Sequence, residues 1–183
     1  MTGVELKVRL ETHHQAAFGW ALGCCAQDPV EAEDVLQTVY LKILQGRARY
    51  EGESEFKTWL FAVIRKTAAD ARRRRGRHLF RLSQYHDHIA TRQVTENPGV
   101  EREQPDIQTV FRRILAALPR RQREVLHLVF YHELTLQQTA KVLGISIGSV
   151  RTHYDRGKKR VRQLVEKCEA CPEPSRRGFD ESR

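Results

Sequence analysis

Cysteine, methionine and long apolar runs are scarce in this chain. Its 183 residues include one methionine and four cysteines, which stand as two close pairs, Cys24 with Cys25 and Cys168 with Cys171. Small secreted domains spread their cysteines more evenly, so a disulfide framework is excluded. No segment approaches the roughly 18 apolar residues of a membrane span, and the first residues lack the apolar core of a signal peptide. We therefore expect a cytoplasmic protein without membrane insertion.

The motifs of common enzyme classes are also missing. The sequence holds no glycine-rich phosphate loop, no His-Glu-x-x-His zinc motif and no nucleophile elbow. The Cys168-x-x-Cys171 pair could be half a zinc site, a redox pair or two thiols in a tail. Four histidines lie within helical patterns and are interpreted as surface or boundary residues, namely His13, His14, His127 and His132. We predict no enzyme activity and no cofactor.

Positive charge dominates the chain and is unevenly distributed. The formal net charge is +9. Residues 1–60 hold nine acidic and six basic side chains, whereas the remaining residues hold 14 acidic and 26 basic ones. A basic surface favours a polyanionic partner such as nucleic acid. The acidic first third indicates a second surface with a different partner.

Helical periodicity without strand alternation predicts an all-α fold of two small helical domains. We expect a first domain of three helices at residues 1–78 and a second, helix-turn-helix domain at 105–166. Residues 79–104 lack a sustained period and contain Asn97-Pro98-Gly99, which predicts a flexible linker. Residues 167–183 are rich in Pro, Arg, Ser and Glu, so a disordered tail is predicted there.

The helix boundaries of the first block are predicted from capping signals. The first helix is expected to end near Gln27, and Asp28, Pro29 and Glu31 predict an N-cap, a first helical residue and a capping box for the second. Ser54 is predicted to cap a third helix that runs from about residue 55 to 75. The apolar face of the second helix is predicted to contain Val30, Val35, Val39, Leu41, Ile43 and Leu44.

The stretch TLQQTAKVLGISIGSVRTHYDRGKKRV, residues 135–161, predicts a helix-turn-helix. Thr135 and Gln138 form a capping box, Gly144 suits the left-handed residue that ends the first helix, and Ser146 suits the N-cap of the next. A solvated basic hairpin is the alternative, but it would need all these signals to coincide. The residues predicted to face a DNA groove or phosphates are Ser149, Arg151, Thr152, Asp155, Arg156, Lys158 and Lys159.

The third helix ends in a dense basic segment. Phosphate attraction makes such a segment suitable for single-stranded or melted DNA, with a solvated basic tail as the alternative. The side chains predicted to contact DNA there are Arg65, Lys66, Arg72, Arg73 and Arg74.

Both blocks resemble the extracytoplasmic-function (ECF) group of bacterial sigma factors. AEDVLQTVYLKIL and FKTWLFAVIRKTAADARRRRGR look like conserved region two, and LPRRQREVLHLVFYHELTLQQTAKVLGISIGSVRTHYDRGKKRV looks like region four. The resemblance covers roughly residues 12–78 and 107–165. It implies a protein that binds core RNA polymerase and directs it to promoter DNA, with an anti-sigma factor as a further candidate partner.

The resemblance also implies roles for particular residues. Asp34 and Gln37 would dock on the clamp helices of the polymerase. The loop YEGESEF, with Tyr50, Ser54 and Phe56, is similar to the loop that holds a flipped base of the -10 element. The second helix of the helix-turn-helix would read the -35 element. A dimeric DNA-binding regulator is the rival interpretation, but such a protein does not need the Asp34 and Gln37 helix.

Gly157 departs from the family pattern, in which alanine is common at this position. A glycine inside a helix destabilises it by roughly 0.5–1 kcal/mol relative to alanine. We therefore predict a small stability cost at Gly157.

Overall fold

A computed structural model of the chain describes residues 3–85 and 114–166. These residues form helices and no strand, which confirms the all-α prediction. Predictions for the Cys168 and Cys171 pair, the tail and most of the linker fall outside the described residues. The elements are α1 Gly3–Cys24, α2 Pro29–Leu44, α3 Phe56–Tyr85, α4 Arg120–Leu126, a π-helical turn His127–Tyr131, α5 Leu136–Leu143 and α6 Ile147–Glu166.

Helices α1 to α3 form the first helical unit around a tightly buried core. Trp20 of α1 is buried against Phe61 of α3, and its indole Nε1 donates a hydrogen bond to the Phe61 carbonyl at 3.0 Å. Leu60 and Ile64 of α3 are fully buried beside Val39 of α2. Because an indole N–H needs an acceptor when buried, the Trp20 bond both satisfies this donor and ties α1 to α3.

The predicted start of α2 is confirmed, but its capping box is wrong. Asp28 Oδ1 accepts hydrogen bonds from the backbone N–H groups of Val30 and Glu31 at 3.0 and 3.1 Å, and Pro29 occupies the first turn. The Glu31 carboxylate does not return to the cap. It instead accepts a hydrogen bond from Arg75 of α3 at 3.0 Å. An available guanidinium therefore draws this carboxylate away from the reciprocal bond.

The predicted apolar face of α2 is correct for only half its members. Val35, Val39 and Ile43 are buried, and Ala32 and Leu36 complete the buried face. Three predicted core residues are instead largely in solvent, with exposed fractions of 70% for Val30, 55% for Leu41 and 71% for Leu44. At about 100° of rotation per residue these three lie on the opposite side of the helix, so hydrophobicity alone misplaced them.

Helix α3 begins and ends differently from the prediction. The carbonyl of Glu55, rather than Ser54, accepts the first helical bond, from Trp59 N at 3.1 Å, and the Ser54 hydroxyl is directed to the Glu55 carbonyl. The helix also continues through Tyr85, well beyond the predicted end at Arg75 and into the predicted linker. Arginine is a good helix former, and the single glycine at Gly76 weakens the helix without ending it.

The helix-turn-helix follows its predicted caps. The Thr135 hydroxyl accepts from Gln138 N at 3.2 Å, and the Gln138 side chain accepts from Thr135 N at 2.8 Å, which completes the capping box. Gly144 ends α5 with φ of 60°, where a glycine is favoured. Ser146 Oγ accepts from Ser149 N at 3.1 Å and caps α6.

The sequence also allows two predictions for the helix before the helix-turn-helix. The break at Leu118-Pro119 predicts a helix start, and Pro119 is the N-cap of α4. Helical spacing predicts Phe130 in the apolar set of this helix, but Phe130 is mostly exposed and stacks on Tyr154 of α6 at a centroid distance of 5.8 Å. The π-helical turn changes the direction of side chains after His127, so the simple α-helical spacing fails there.

The helix-turn-helix unit, residues 114–166, packs against the first unit. Lys57 Nζ of α3 donates to the His132 carbonyl at 2.7 Å, and the Gln138 amide donates to Glu55 Oε2 at 2.7 Å. The Phe61 and His132 rings meet edge to face at 4.7 Å. The buried residues of the two units form one continuous apolar cluster. We call this packing the closed arrangement.

Candidate nucleic-acid and partner interfaces

One face of α2 combines polar and apolar side chains in solvent. Asp34 and Gln37, the predicted polymerase-docking residues, are both exposed. These two residues and the three exposed apolar residues follow one another at intervals of four, three, four and three residues. All five therefore lie on one side of the helix. We call Val30, Asp34, Gln37, Leu41 and Leu44 the α2 stripe. Helices that pack in coiled coils use the same spacing, so the α2 stripe suits a partner helix.

The apolar members of the α2 stripe were missed from the sequence as functional residues. Val30, Leu41 and Leu44 were assigned to the core because they are large and apolar. The intervals that connect them through Asp34 and Gln37 could have separated them from the buried face. Exposed apolar side chains that cluster on a helix indicate an interaction surface more strongly than single ones do.

A cleft between α2 and α3 brings the α2 stripe close to the basic segment. Asp34 lines this cleft together with Asp70 and Arg74. Arg73 donates a hydrogen bond to Asp70, and this contact holds the pKa of the Asp70 carboxyl below its usual value. Lys42 Nζ donates to Thr67 Oγ1 at 2.9 Å across the same pair of helices. The α2 stripe and the basic segment of α3 are therefore neighbouring surfaces on the same pair of helices.

The loop before α3 is held by contacts among its aromatic residues. The Tyr50 hydroxyl donates to the Ser54 carbonyl at 2.5 Å, and Tyr50 and Ser54 are both partly exposed. Phe56 is buried, with its ring edge-to-face with Tyr50 at 5.3 Å and stacked on His13 at 5.8 Å. Trp59 is half-buried and packs on the Tyr50 ring at 5.4 Å and on the Phe56 ring at 5.3 Å. Phe56 is therefore covered by residues of the first unit and supports the loop from below.

Four of the five predicted basic residues on α3 are exposed, and one is not. Lys66, Arg72, Arg73 and Arg74 face solvent. The Arg65 side chain is 18% exposed, and its Nε lies 3.8 Å from Glu124 Oε2 of α4. Burial lowers the pKa of the Arg65 guanidinium, and the Glu124 carboxylate opposes this effect. In the closed arrangement Arg65 is thus not part of the exposed surface that the other four basic residues form.

The buried Glu124 carboxylate is the centre of an arginine cluster. It accepts hydrogen bonds from Arg120 Nε at 2.9 Å and from Arg121 Nη1 at 3.0 Å, in addition to its approach to Arg65. A carboxylate with this little exposure needs such partners to offset the loss of its solvation. The cluster therefore links the two units through charge as well as through packing.

The second helix of the helix-turn-helix presents its predicted reading face to solvent. The Ser149 hydroxyl lies 2.9 Å from the Ser146 hydroxyl, and the Thr152 hydroxyl donates to the Gly148 carbonyl at 3.0 Å. The Lys158 ammonium lies 4.7 Å above the Tyr154 ring, which restricts its position. All seven predicted DNA-facing residues are exposed, namely Ser149, Arg151, Thr152, Asp155, Arg156, Lys158 and Lys159.

Gly157 lies on the opposite, buried face of the same helix. A Cβ at this position would lie 3.0 Å from Leu126 Cδ1 and 3.4 Å from Gln122 Cβ. The glycine therefore allows α6 to approach α4 closely. This contact opposes the stability gain that the sequence predicts for alanine at this position.

One of the four helical histidines, His132, is more buried than predicted. His132 is 3% exposed, so its interpretation as a surface or boundary residue is wrong. His127 is half-buried, as a boundary residue would be. Burial lowers the pKa of His127 to about 4. Burial, with further contributions from His127 and Lys57, lowers the pKa of His132 to about 3. The two imidazoles are therefore neutral near pH 7.

The described residues offer neither a metal site nor a membrane helix. Within residues 3–85 and 114–166, no group of three or more His, Cys, Asp or Glu side chains is arranged to hold a metal ion. No helix in these ranges is long and apolar enough to cross a membrane. Burial raises the pKa of the Cys25 thiol to about 11, and it raises the Cys24 pKa further. Both thiols are therefore poor nucleophiles at neutral pH.

Comparison with known proteins agrees with this geometry. Residues 10–78 match the family Sigma-70 region 2, and residues 114–163 match Sigma-70, region 4. The ECF RNA polymerase sigma factor SigX of Bacillus subtilis (strain 168) is 32% identical over 159 residues, which cover 85% of this chain and 81% of SigX. The RNA polymerase sigma factor CarQ of Myxococcus xanthus is 29% identical over 137 residues, or 73% of this chain and 74% of CarQ.

Solved structures show the same fold at lower identity. The sigma factor RpoE, solved with the anti-sigma factor NepR from Bartonella quintana, has a TM-score of 0.68 at 23% identity and covers 88% of this chain and 97% of its own. CnrH, solved with the cytosolic domain of CnrY, has a TM-score of 0.58 at 19% identity, with 87% of each chain covered. Both matched regions, in the order of the family, and the similarity to SigX lead to one conclusion: the chain belongs to the ECF sigma factors of the sigma-70 family.

Proposed function

We propose that this sigma factor uses three separate surfaces to direct core RNA polymerase to promoters. The α2 stripe would dock on the polymerase, the loop at Tyr50 and Ser54 with the basic end of α3 would bind the -10 element, and the exposed face of α6 would read the -35 element. The exposure of Asp34 and Gln37 between apolar neighbours carries the proposal, because that face of α2 takes no part in the core.

The polymerase contact would combine apolar burial with specific polar bonds. Leu41 and Leu44 offer large apolar side chains to a partner helix, and each loses contact with water only when a partner covers it. Asp34 and Gln37 supply a charge and an amide that fix the orientation of that partner. The chain itself performs no chemical step in this proposal, since the polymerase forms the phosphodiester bonds.

The -10 surface would hold melted DNA. Removing a base from the stack costs a few kcal/mol, which a protein pocket and phosphate contacts must offset. Tyr50 and Ser54 would form the rim of this pocket, and Lys66, Arg72, Arg73 and Arg74 would bind phosphates. Phe56 and Arg65 were also predicted to contact this DNA. Arg65 would need the closed arrangement to open first, whereas Phe56 would need to leave its packing against rings of the first unit.

The -35 surface would combine base contacts with phosphate contacts. Arg151 and Arg156 are placed to donate to guanine, and Asp155 could accept from a cytosine amino group. Ser149 and Thr152 add hydroxyls near the N-terminus of the same helix, while Lys158 and Lys159 would neutralise phosphates without reading sequence.

An anti-sigma factor is the proposed regulatory partner, and the cytoplasm the proposed location. The solved structure of RpoE described above is a complex with the anti-sigma factor NepR. The α2 stripe is the surface that such a partner would need to cover in order to block polymerase binding.

Pull-down of bacterial core RNA polymerase by the purified chain tests the proposal. We expect the Asp34→Ala, Gln37→Ala double variant to lose binding and the Lys7→Ala, Glu11→Ala variant of an exposed pair on α1 to retain it. Transcripts made by the reconstituted enzyme would then identify the promoter. A folded chain that fails to bind polymerase but binds a palindromic duplex tightly would instead be a dimeric regulator.

A further inference from the structure

The junction of the two units is built around a pair of imidazole rings. In the π-helical turn, the backbone N–H of His132 bonds to the His127 carbonyl at 3.3 Å, across five residues. This geometry brings the two rings to a centroid distance of 4.9 Å. π-helical turns cost stability and are often found at functional positions. The turn therefore presents both histidines together toward the first helical unit.

The first unit encloses both rings closely. Trp20 lies 5.6 Å from the His127 ring and 6.1 Å from the His132 ring, and Phe61 lies 4.7 Å from His132. A Cβ on Gly23 of α1 would lie only 2.6 Å from His127 Nδ1. The absence of a side chain at Gly23 is thus what allows α1 to seat against this ring.

The enclosure suits neutral imidazoles and opposes charged ones. His132 Nε2 is buried without a hydrogen-bond partner among the described residues, so an added proton there would have no acceptor. The Lys57 ammonium already donates to the His132 carbonyl and adds positive charge beside the pair. Two protonated rings at this separation would also repel each other.

The charged and titratable groups around the pair do not compensate for a second charge. Among the described residues that line the cavity beside His127, Glu124 is the one carboxylate, and it is already bound by arginines. Cys24 stays neutral because its thiol is buried. The other groups that face the pair or line this cavity are Lys57 and Arg72 of α3, Arg120 and Arg123 of α4, and Tyr131 of the π-helical turn.

We propose that His127 and His132 form a proton-sensitive latch between the two helical units, so that protonation of the pair opens the closed arrangement. Three observations support the latch: both imidazole rings are packed against the first unit, His132 Nε2 has no hydrogen-bond partner among the described residues, and the Lys57 ammonium lies beside the pair. It does not depend on the proposed function. Its consequence for DNA does, because opening would expose Arg65 to a melted strand.

The direction of the pH effect follows from proton linkage. Both imidazoles have lower pKa values in the closed arrangement than the ordinary 6.5, so the open arrangement binds more protons. Closure is therefore fully favoured above about pH 6.5 and weakens as the pH falls toward 4 and 3. Between pH 7.5 and 5.5 the ratio of closed to open molecules falls roughly tenfold per imidazole, or about 100-fold for the pair.

Two measurements on the full chain test the latch. Nuclear magnetic resonance of the imidazole carbons gives the pKa of each histidine, and small-angle X-ray scattering between pH 7.5 and 4.5 follows opening as a rise in the radius of gyration. The His127→Phe, His132→Phe variant keeps aromatic rings that cannot be protonated. His14→Gln removes an exposed histidine on α1 and is the matched control. Circular dichroism at each pH checks that the helix content is retained.

We expect pKa values well below 6.5 for both latch histidines, with expansion on acidification in the unaltered chain and in His14→Gln. The double variant should stay compact. Ordinary pKa values near 6.5, no expansion down to pH 4.5, or equal expansion in the double variant would each overturn the proposal. If the phenylalanine variant fails to fold, His127→Gln with His132→Gln replaces it, under the same expected and overturning results.

Discussion

The Nε atom of Arg65 lies 3.8 Å from the Oε2 atom of Glu124, and this approach joins α3 of the first unit to α4 of the second. Arg65 belongs to the basic segment predicted to bind melted DNA. Glu124 belongs to the unit that carries the helix-turn-helix. A carboxylate of the second unit thus holds an arginine of the first unit that is predicted to bind DNA, and phosphate would have to compete with this carboxylate.

Glu124→Gln should loosen this contact and favour DNA binding by the free chain. Arg120 and Arg121 are about half exposed and can turn to water, so we expect the free energy of unfolding to fall by only about 1–2 kcal/mol. Affinity for a single-stranded -10 oligonucleotide, measured by fluorescence anisotropy, should rise. Glu11→Gln, an exposed change on α1, should leave both quantities unaltered, and unchanged DNA affinity in Glu124→Gln would contradict the masking of Arg65.

Leu41→Ala should weaken polymerase binding without loss of stability. Its side chain is more than half exposed in the α2 stripe, so truncation leaves no cavity. Ile43→Ala, two residues away on the buried face, should instead lower the free energy of unfolding by about 2–4 kcal/mol. Urea denaturation and polymerase titration of both variants separate the two effects. If Leu41→Ala binds polymerase as tightly as the unaltered chain, the α2 stripe extends less far than proposed.

Arg151→Ala and Lys159→Ala should affect -35 recognition differently. Loss of a bidentate contact from arginine to guanine is expected to reduce discrimination by about 1–3 kcal/mol at one base pair. Loss of the Lys159 phosphate contact should weaken binding to all sequences and lower the salt slope by about one. Binding of the reconstituted polymerase to promoter variants over a range of salt measures both. Equal, sequence-independent effects would remove the assignment of Arg151 to a base.

Gly157→Ala is expected to bring no stability gain, contrary to simple helix propensity. The added Cβ would press on Leu126 and Gln122, and this overpacking offsets the propensity term. Gly76→Ala is the matched control, because Gly76 lies in the interior of α3, and a Cβ there would meet no side chain of the described residues within 4 Å. It should raise the free energy of unfolding by about 0.5–1 kcal/mol. Equal gains at both positions in urea denaturation would show that α6 can move away from α4.

Local features of the fold were predictable from the sequence, and contacts between the units were not. The Asp28 cap, the Thr135 and Gln138 capping box and the Gly144 turn each depend on residues within a few positions, so their patterns are visible in the chain itself. The outward position of Leu41 was misjudged because a large apolar side chain was equated with burial. The burial of His132 depends on Trp20 and Phe61, which are distant in sequence, and no periodicity indicates such an encounter.

The exposed reading face of α6 and the withheld Arg65 have a consequence for the order of promoter contacts. In the closed arrangement only the helix-turn-helix presents its full set of predicted DNA contacts, whereas the melted-strand surface is incomplete. A ligand that needs the open arrangement binds with an apparent affinity reduced by the fraction of molecules that are open. The apparent affinity for single-stranded DNA would be reduced in this way, whereas the apparent affinity for duplex DNA would not. The closed junction would thus shift the binding preference of the free chain toward duplex DNA and away from single-stranded DNA.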